Sequence, residues 1–144
     1  MSELTAREQT PTQNEVEVRV DADPTRLPVL RSVAATIAMR RDFDLDAIAD
    51  LKIAVDEACS MLIVRAAPGS VLSCRFQDTD DTVTVQATAL SESDTWPETG
   101  SFGWHVLSTL TDSLDATVAP AAADPGGFTL RIELMKRNGT VPTR

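Results

Sequence analysis

Apolar and polar residues alternate in four stretches of the chain, and in three others they recur at helical spacing. Val16, Val18 and Val20 alternate with Glu17, Arg19 and Asp21, the pattern of a strand with one buried face. Pro24 breaks it. From Thr25 to Arg40, Leu27, Leu30, Ala34 and Ile37 line one side of a first helix, with Thr25 as the expected cap and Pro28 in the first turn. The strongest periodicity lies in Phe43 to Gly69, where Ile48, Leu51, Val55, Ala58, Cys59 and Leu62 form one apolar stripe. Asp44 is its expected N-cap, Asp46 stands in the first turn, and Pro68-Gly69 ends the run. Projection at about 100° per residue groups Asp50, Ile53, Glu57, Met61 and Val64 on another face, two acids among apolar side chains. Such a face either packs under a loop or meets a partner.

Leu72, Cys74 and Phe76 then alternate with polar residues, as do Val83, Val85, Ala87 and Ala89, and the intervening Asp78 to Asp81 is turn chemistry. These predict a hairpin. Ser91 to Gly100 reads as a loop, Ser101 onward as a third helix with Phe102, Val106, Leu110 and Leu114 on its apolar face, Ala116 to Ala119 as a short strand, and Phe128 to Leu134 as a last strand. Residues 1–14 lack periodicity and read as a disordered arm, residues 15–136 as one domain and residues 137–144 as a loose tail. Half-buried strands of this kind predict an α+β fold, a two-layer α/β sandwich with a mostly antiparallel sheet and helices on one face.

Length fits this picture: 144 residues suffice for one domain that buries roughly 68–70% of its unfolded surface. A net charge of -9, from 22 acids and 13 bases, argues against a nucleic-acid partner and for a partner with a basic surface. Cys59, Cys74 and the single His105 are too few soft ligands for a zinc site, so no metal is expected from them. No run of about 18 apolar residues appears, so the expectation is a cytoplasmic protein with free thiols and no membrane contact.

The segment Ala54-Val55-Asp56-Glu57-Ala58-Cys59-Ser60-Met61-Leu62-Ile63 resembles the helix motif of anti-sigma factors of the serine/threonine-kinase type, within the histidine-kinase-like (Bergerat) ATPase superfamily. Local likeness recurs in Ser101–Asp112, and the element order matches from about residue 15 to residue 135. The resemblance implies ATP and Mg2+ as cofactors, with Glu57 as the catalytic base and the position of Met61 held by an Asn that helps bind the metal. It places Thr88 where an Asp recognises the adenine and Leu90 where a glycine follows. Gly100 and Gly103 remain of the Gly-rich turn before the third helix, while Ser101 replaces a glycine and the lid between Leu90 and Gly100 is short. A thioether is a poor partner for Mg2+, Thr88 has no carboxylate, and a Leu side chain blocks close backbone contact. These departures predict weak or lost nucleotide binding.

The resemblance implies an anti-sigma factor that binds an alternative, stress-response sigma factor and is released by an anti-anti-sigma antagonist, and it implies a homodimer. The alternative is an active kinase that phosphorylates that antagonist. Arg26, Arg31 and Arg40 project from the first helix as candidate sigma-factor contacts. Against these stand plainer readings: Glu57 as a solvated helix acid, His105 as a half-buried packing residue, and Cys59 and Cys74 as inert core thiols.

Overall fold

In the computed structural model, which describes residues 14–97, 99–122 and 126–139, the first alternating stretch is β1 (Glu15–Asp21). The carbonyl of Asn14 accepts from Asp78 N at 3.2 Å, so pairing begins where the arm was expected to end. Residues 1–13 of that arm lie outside the described residues. Asp23, not Thr25, makes the first cap: its carboxylate accepts from Thr25 N and Thr25 Oγ1, both at 2.8 Å, and closes a 3-10 turn over Pro24–Arg26. The backbone N–H of Thr25 holds the Asp23 carboxyl below its ordinary range. Helix α1 (Leu27–Arg40) follows, with Pro28 in the first turn where a missing N–H costs nothing. It buries Leu30, Ala34, Ile37 and Ala38.

Asp42 takes a left-handed conformation, φ 59°, and so reverses the chain after α1. Asp44 then caps α2 (Leu45–Arg65) through Oδ1 to Ala47 N at 2.7 Å. The expected stripe is buried at Leu51, Val55, Ala58, Cys59 and Leu62, and Ala47 and Ala54 join it, whereas Ile48 is only half-buried. Three turns of alanine and leucine let α2 lie close on the sheet. Gly69, φ +74°, makes the turn out of the helix that Pro68-Gly69 predicted.

The hairpin is β2 (Val71–Asp78) and β3 (Thr82–Ser91), in register Leu72 opposite Ala89, Cys74 opposite Ala87 and Phe76 opposite Val85. Arg41, just past α1, clamps its turn by donating to Asp78 at 2.6 Å and Asp80 at 3.1 Å. Helix α3 (Phe102–Leu110) leads to β4 (Ser113–Pro120) and β5 (Phe128–Arg137). The five strands lie in the order β1-β2-β3-β5-β4, every neighbouring pair antiparallel, with the helices packed on one face. The expected two-layer sandwich is therefore the observed one.

Three local expectations fail. The apolar face of α3 is not the Phe102 set: Leu107 is its buried residue, Phe102 is 80% exposed, and Leu114 belongs to β4, which is longer than Ala116 to Ala119. A four-residue step over so short a helix drifts, and the strand begins before the pattern ends. The expected tail is tied down at Asn138, whose Oδ1 accepts from Asp44 N at 3.0 Å and whose Nδ2 donates to Asp42 O at 3.2 Å. Residues 140–144 lie outside the described residues.

Candidate functional site

Glu57 and Met61, one turn apart on the half-buried flank of α2, face the start of α3. Ser101 caps that helix by accepting from Trp104 N at 3.2 Å. Gly103 lies so close that a Cβ there would collide with Glu57 Oε2 and stand 3.3 Å from Met61 Sδ. A larger residue at 103 would have to displace the flexible end of Glu57. The carboxylate of Glu57 thus sits against the first turn of α3, where the helix dipole favours negative charge. Glu57, Met61, Val64, Arg65, Ser101 and Gly103 line a cavity of about 220 Å3.

The other expected nucleotide residues do not meet there. Thr88 pairs with Ser73 and Arg131 and points to the open face of the sheet, away from α2, because Val83, Val85, Ala87, Ala89 and Ser91 are the buried, inward positions of β3. A one-residue slip moves a strand position to the opposite face. Ala89 is the inward residue at that level, with neither carboxylate nor hydroxyl. Leu90 points outward, and its carbonyl accepts from Ala67 N at 2.8 Å. Gly100 is exposed, and a Cβ there would meet nothing within 4 Å.

Trp96 touches the site through Arg65, although the sequence pattern gives its segment no helix or strand. It is 7% exposed, donates its indole N–H to Arg131 O at 3.3 Å, and carries the Arg65 guanidinium carbon 5.7 Å from its ring centroid. It therefore fills space between the end of α2 and β5. The available signal was a lone aromatic in an otherwise polar loop.

These residues do not fit a magnesium nucleotide. Met61 offers sulfur where a hard oxygen is needed. Ala89 offers no acceptor, and the cavity is smaller than the roughly 300–1,000 Å3 usual for ligand pockets. Among the described residues no three His, Cys, Asp or Glu side chains could hold a metal ion together.

Arg26, Arg31 and Arg40 do not form one patch. Arg26 pairs with Asp21 at 3.6 Å, Arg31 donates to Asp56 on α2 at 2.8 Å, and Arg40 lines a cavity against β1 and Asp78. His105 is exposed rather than half-buried. Cys59 and Cys74 are fully buried with their sulfurs 3.6 Å apart, and the hydrogen bond to Cys74, with burial, pushes the Cys59 thiol well above its ordinary pKa. Both therefore sit as unreactive core thiols.

The model of the histidine kinase-like ATPase domain family matches residues 20–133. The anti-sigma-F factor RsbW of two Mycobacterium tuberculosis strains, CDC 1551 / Oshkosh and H37Rv, is 36% identical over 122 residues, which is 85% of this chain and 73% of each relative. Among solved structures, the RsbU and RsbW domains of Rv1364c from Mycobacterium tuberculosis superpose with a TM-score of 0.55 at 18% identity, over 94% of this chain and 34% of that one. At that identity the likeness speaks to the fold alone.

Proposed function

The chain belongs to the histidine kinase-like ATPase domain family, and from that premise we propose that it is an anti-sigma factor, which binds a stress-type sigma factor and keeps it from core RNA polymerase. The observation that carries this is the 36% identity to anti-sigma-F factors over 85% of the chain. Sequestration needs only a folded surface, so it does not depend on the donor set that Met61 and Ala89 lack. A net charge of -9 suits a partner that itself binds DNA and is basic.

In this role a competing anti-anti-sigma protein releases the sigma factor, and both events take place in the cytoplasm. No described helix is long and apolar enough to cross a membrane. Candidate contacts remain Arg26, Arg31 and Arg40, with Arg31 held against Asp56 rather than free. The homodimer implied by the resemblance is tested by light scattering on the purified chain.

Titration calorimetry against the purified stress-type sigma factors of the host tests the proposal. Submicromolar one-to-one capture of one of them is expected. Capture of none overturns the anti-sigma role. A fluorescent ATP analogue with Mg2+ tests the kinase alternative: no saturable binding is expected, and micromolar, magnesium-dependent binding restores the kinase with Glu57 as its base.

A further inference from the structure

The geometry points to the free edge of β1 as the surface on which a second copy of this chain pairs, strand to antiparallel strand, across a two-fold axis at Val18. This deepens the homodimer put forward above by giving it a surface and a register. Among the described residues β1 is an edge of the sheet, paired with β2 alone. Two bonds fix which way its backbone points: Asp78 N donates to Asn14 O, and Ala22 N donates to Ser70 O. In the antiparallel ladder the even positions, Val16, Val18 and Val20, therefore exchange bonds with β2. The N–H and C=O groups of the odd positions face outward. Asp21 O is used by Asp23 N at 2.8 Å, which leaves Glu17 and Arg19 as the centre of the edge. Such an edge is a template for another strand unless proline, lysine or a bulge guards it. β4, the other edge, ends in Pro120, whereas β1 carries none of the three over its ladder.

The sequence of β1 is complementary to itself. In the register that joins the outward groups, Glu17 lies opposite the partner's Arg19 and Arg19 opposite the partner's Glu17. Each is a hydrogen-bonded pair that exchanges both backbone bonds, about four in all, and each sets opposite charges across the strands on the open face of the sheet. On the helix face Val16 lies opposite the partner's Val20, and Val18 meets its own copy on the axis, where side chains approach most closely. Glu15 and Asp21, like charges that the register also opposes, are held by cations of their own chain, Arg75 at 2.6 Å and Arg26 at 3.6 Å.

Helix α1 supplies the second contact. Val16 is 43% exposed although it faces α1, and with Ser32, Val33, Thr36, Ile37 and Arg40 it lines a groove of about 310 Å3 between strand and helix. Val29, Val33, Thr36 and Arg40 recur at steps of four, three and four along one flank of α1, on the side away from the Arg31–Asp56 pair that ties α1 to α2. Val29 is exposed. A strand added beside β1 brings the partner's Val18 and Val20 under this flank and covers the groove.

Sedimentation equilibrium of the full chain, with hydrogen exchange of the β1 amides, tests the pairing. The wild type is expected to dimerise, with the amides of Glu17 and Arg19 gaining protection as concentration rises and those of Val16 and Val18 protected by β2 throughout. Arg19→Pro removes an N–H that the chain's own ladder does not use, a place where an edge strand tolerates proline. It is expected to raise the dimer Kd by about tenfold or more, and Arg19→Ala, which keeps the N–H, by less. Glu17→Arg and Arg19→Glu each set like charges opposite one another and are expected to weaken the dimer, and the double swap to restore it. Ala116→Pro is the control on the other edge: Ala121 N donates to Gly127 O, so odd positions of β4 face β5 and Ala116 faces out. Thermal unfolding checks that each variant folds, and if Arg19→Pro does not, the charge swap decides. A wild-type Kd in folded Arg19→Pro, or a dimer lost only in Ala116→Pro, overturns the β1 pairing and leaves the homodimer standing. A double swap no tighter than the single changes overturns the register and the pairing with it. A monomeric wild type removes homodimer and pairing together, and protected Glu17 and Arg19 amides in that monomer give the edge to residues 1–13. The anti-sigma role is read separately, by the calorimetry above.

Discussion

Replacing Trp96 with alanine should cost about 3 kcal/mol of stability. A buried Trp→Ala change in a core costs about 3–5 kcal/mol, and the lower end applies because Trp96 lies on a loop that can partly collapse into the space. Its burial is nearly complete, at 7% exposed, and its N–H satisfies Arg131 O at 3.3 Å. About 1 kcal/mol of the loss belongs to that hydrogen bond. Trp96→Phe keeps most of the apolar area and drops the donor, so it should fall between wild type and Trp96→Ala. Urea unfolding followed by circular dichroism reads the difference. With an m-value of about 2 kcal/mol/M, the midpoint should drop by about 1.5 M, and the roughly 3 kcal/mol lost is a fifth to three fifths of the stability of an ordinary domain, about 5–15 kcal/mol. Trp104→Phe serves as control for the loss of an indole elsewhere. A midpoint for Trp96→Ala within about 0.25 M of wild type, below about 0.5 kcal/mol on the same m-value, would show that the loop does not seal the sheet.

The Cys59 thiol, held neutral by Cys74 and burial, has a folded pKa above the unfolded value of about 8.5. Between the two the unfolded chain releases a proton that the folded chain retains, so stability is full below about pH 8.5 and falls by up to about 1.4 kcal/mol per pH unit above it; urea midpoints from pH 8 to 10 should show this slope, and Cys59→Ala with an equal slope would refute it. Asn138→Ala removes the bonds to Asp44 N and Asp42 O and should cost about 1–2 kcal/mol, read as a lower midpoint; an unchanged midpoint would return Asn138 to a loose tail. Arg31→Glu sets a carboxylate against Asp56, 2.8 Å from the present guanidinium, and should weaken sigma-factor capture by about 1–3 kcal/mol, with partial recovery in the Arg31→Glu, Asp56→Arg swap; unaltered affinity would remove Arg31 from the interface.

Elements were legible where a single periodicity ran uninterrupted. The stripe of α2 spans about four turns, so the half-buried Ile48 changes nothing, and strict alternation marks the faces of β2, β3 and β5. Legibility failed where it depended on register or on contacts distant in sequence. The resemblance places Thr88 at the adenine, yet Ala87 and Ala89 take the inward face, and a placement that is off by one reverses the side chain. Asp23 won the cap over Thr25 because its carboxylate reaches both the N–H and the hydroxyl of Thr25. Trp96 and Asn138 act through partners 35 and 94 residues away, and no local pattern encodes those distances. The closeness of Glu57 to Gly103 is of the same kind, although the glycine itself was singled out.

A domain that binds a nucleotide at a hundred times its Kd gains about 2.7 kcal/mol from the ligand. That is the same order as the loss expected for Trp96→Ala, so a thermal shift on adding Mg-ATP would be as easily read as that variant. Its absence has a consequence for regulation. In the proposed role, an anti-sigma factor that binds no nucleotide is competent at all times and is gated by neither nucleotide binding nor hydrolysis. Release of a captured sigma factor then depends on mass action: an antagonist must exceed the sigma factor in the product of its concentration and its affinity for an overlapping surface. If the antagonist and the sigma factor share a surface that includes Arg31, Arg31→Glu should impair both together, whereas separate surfaces would leave one of the two affinities untouched.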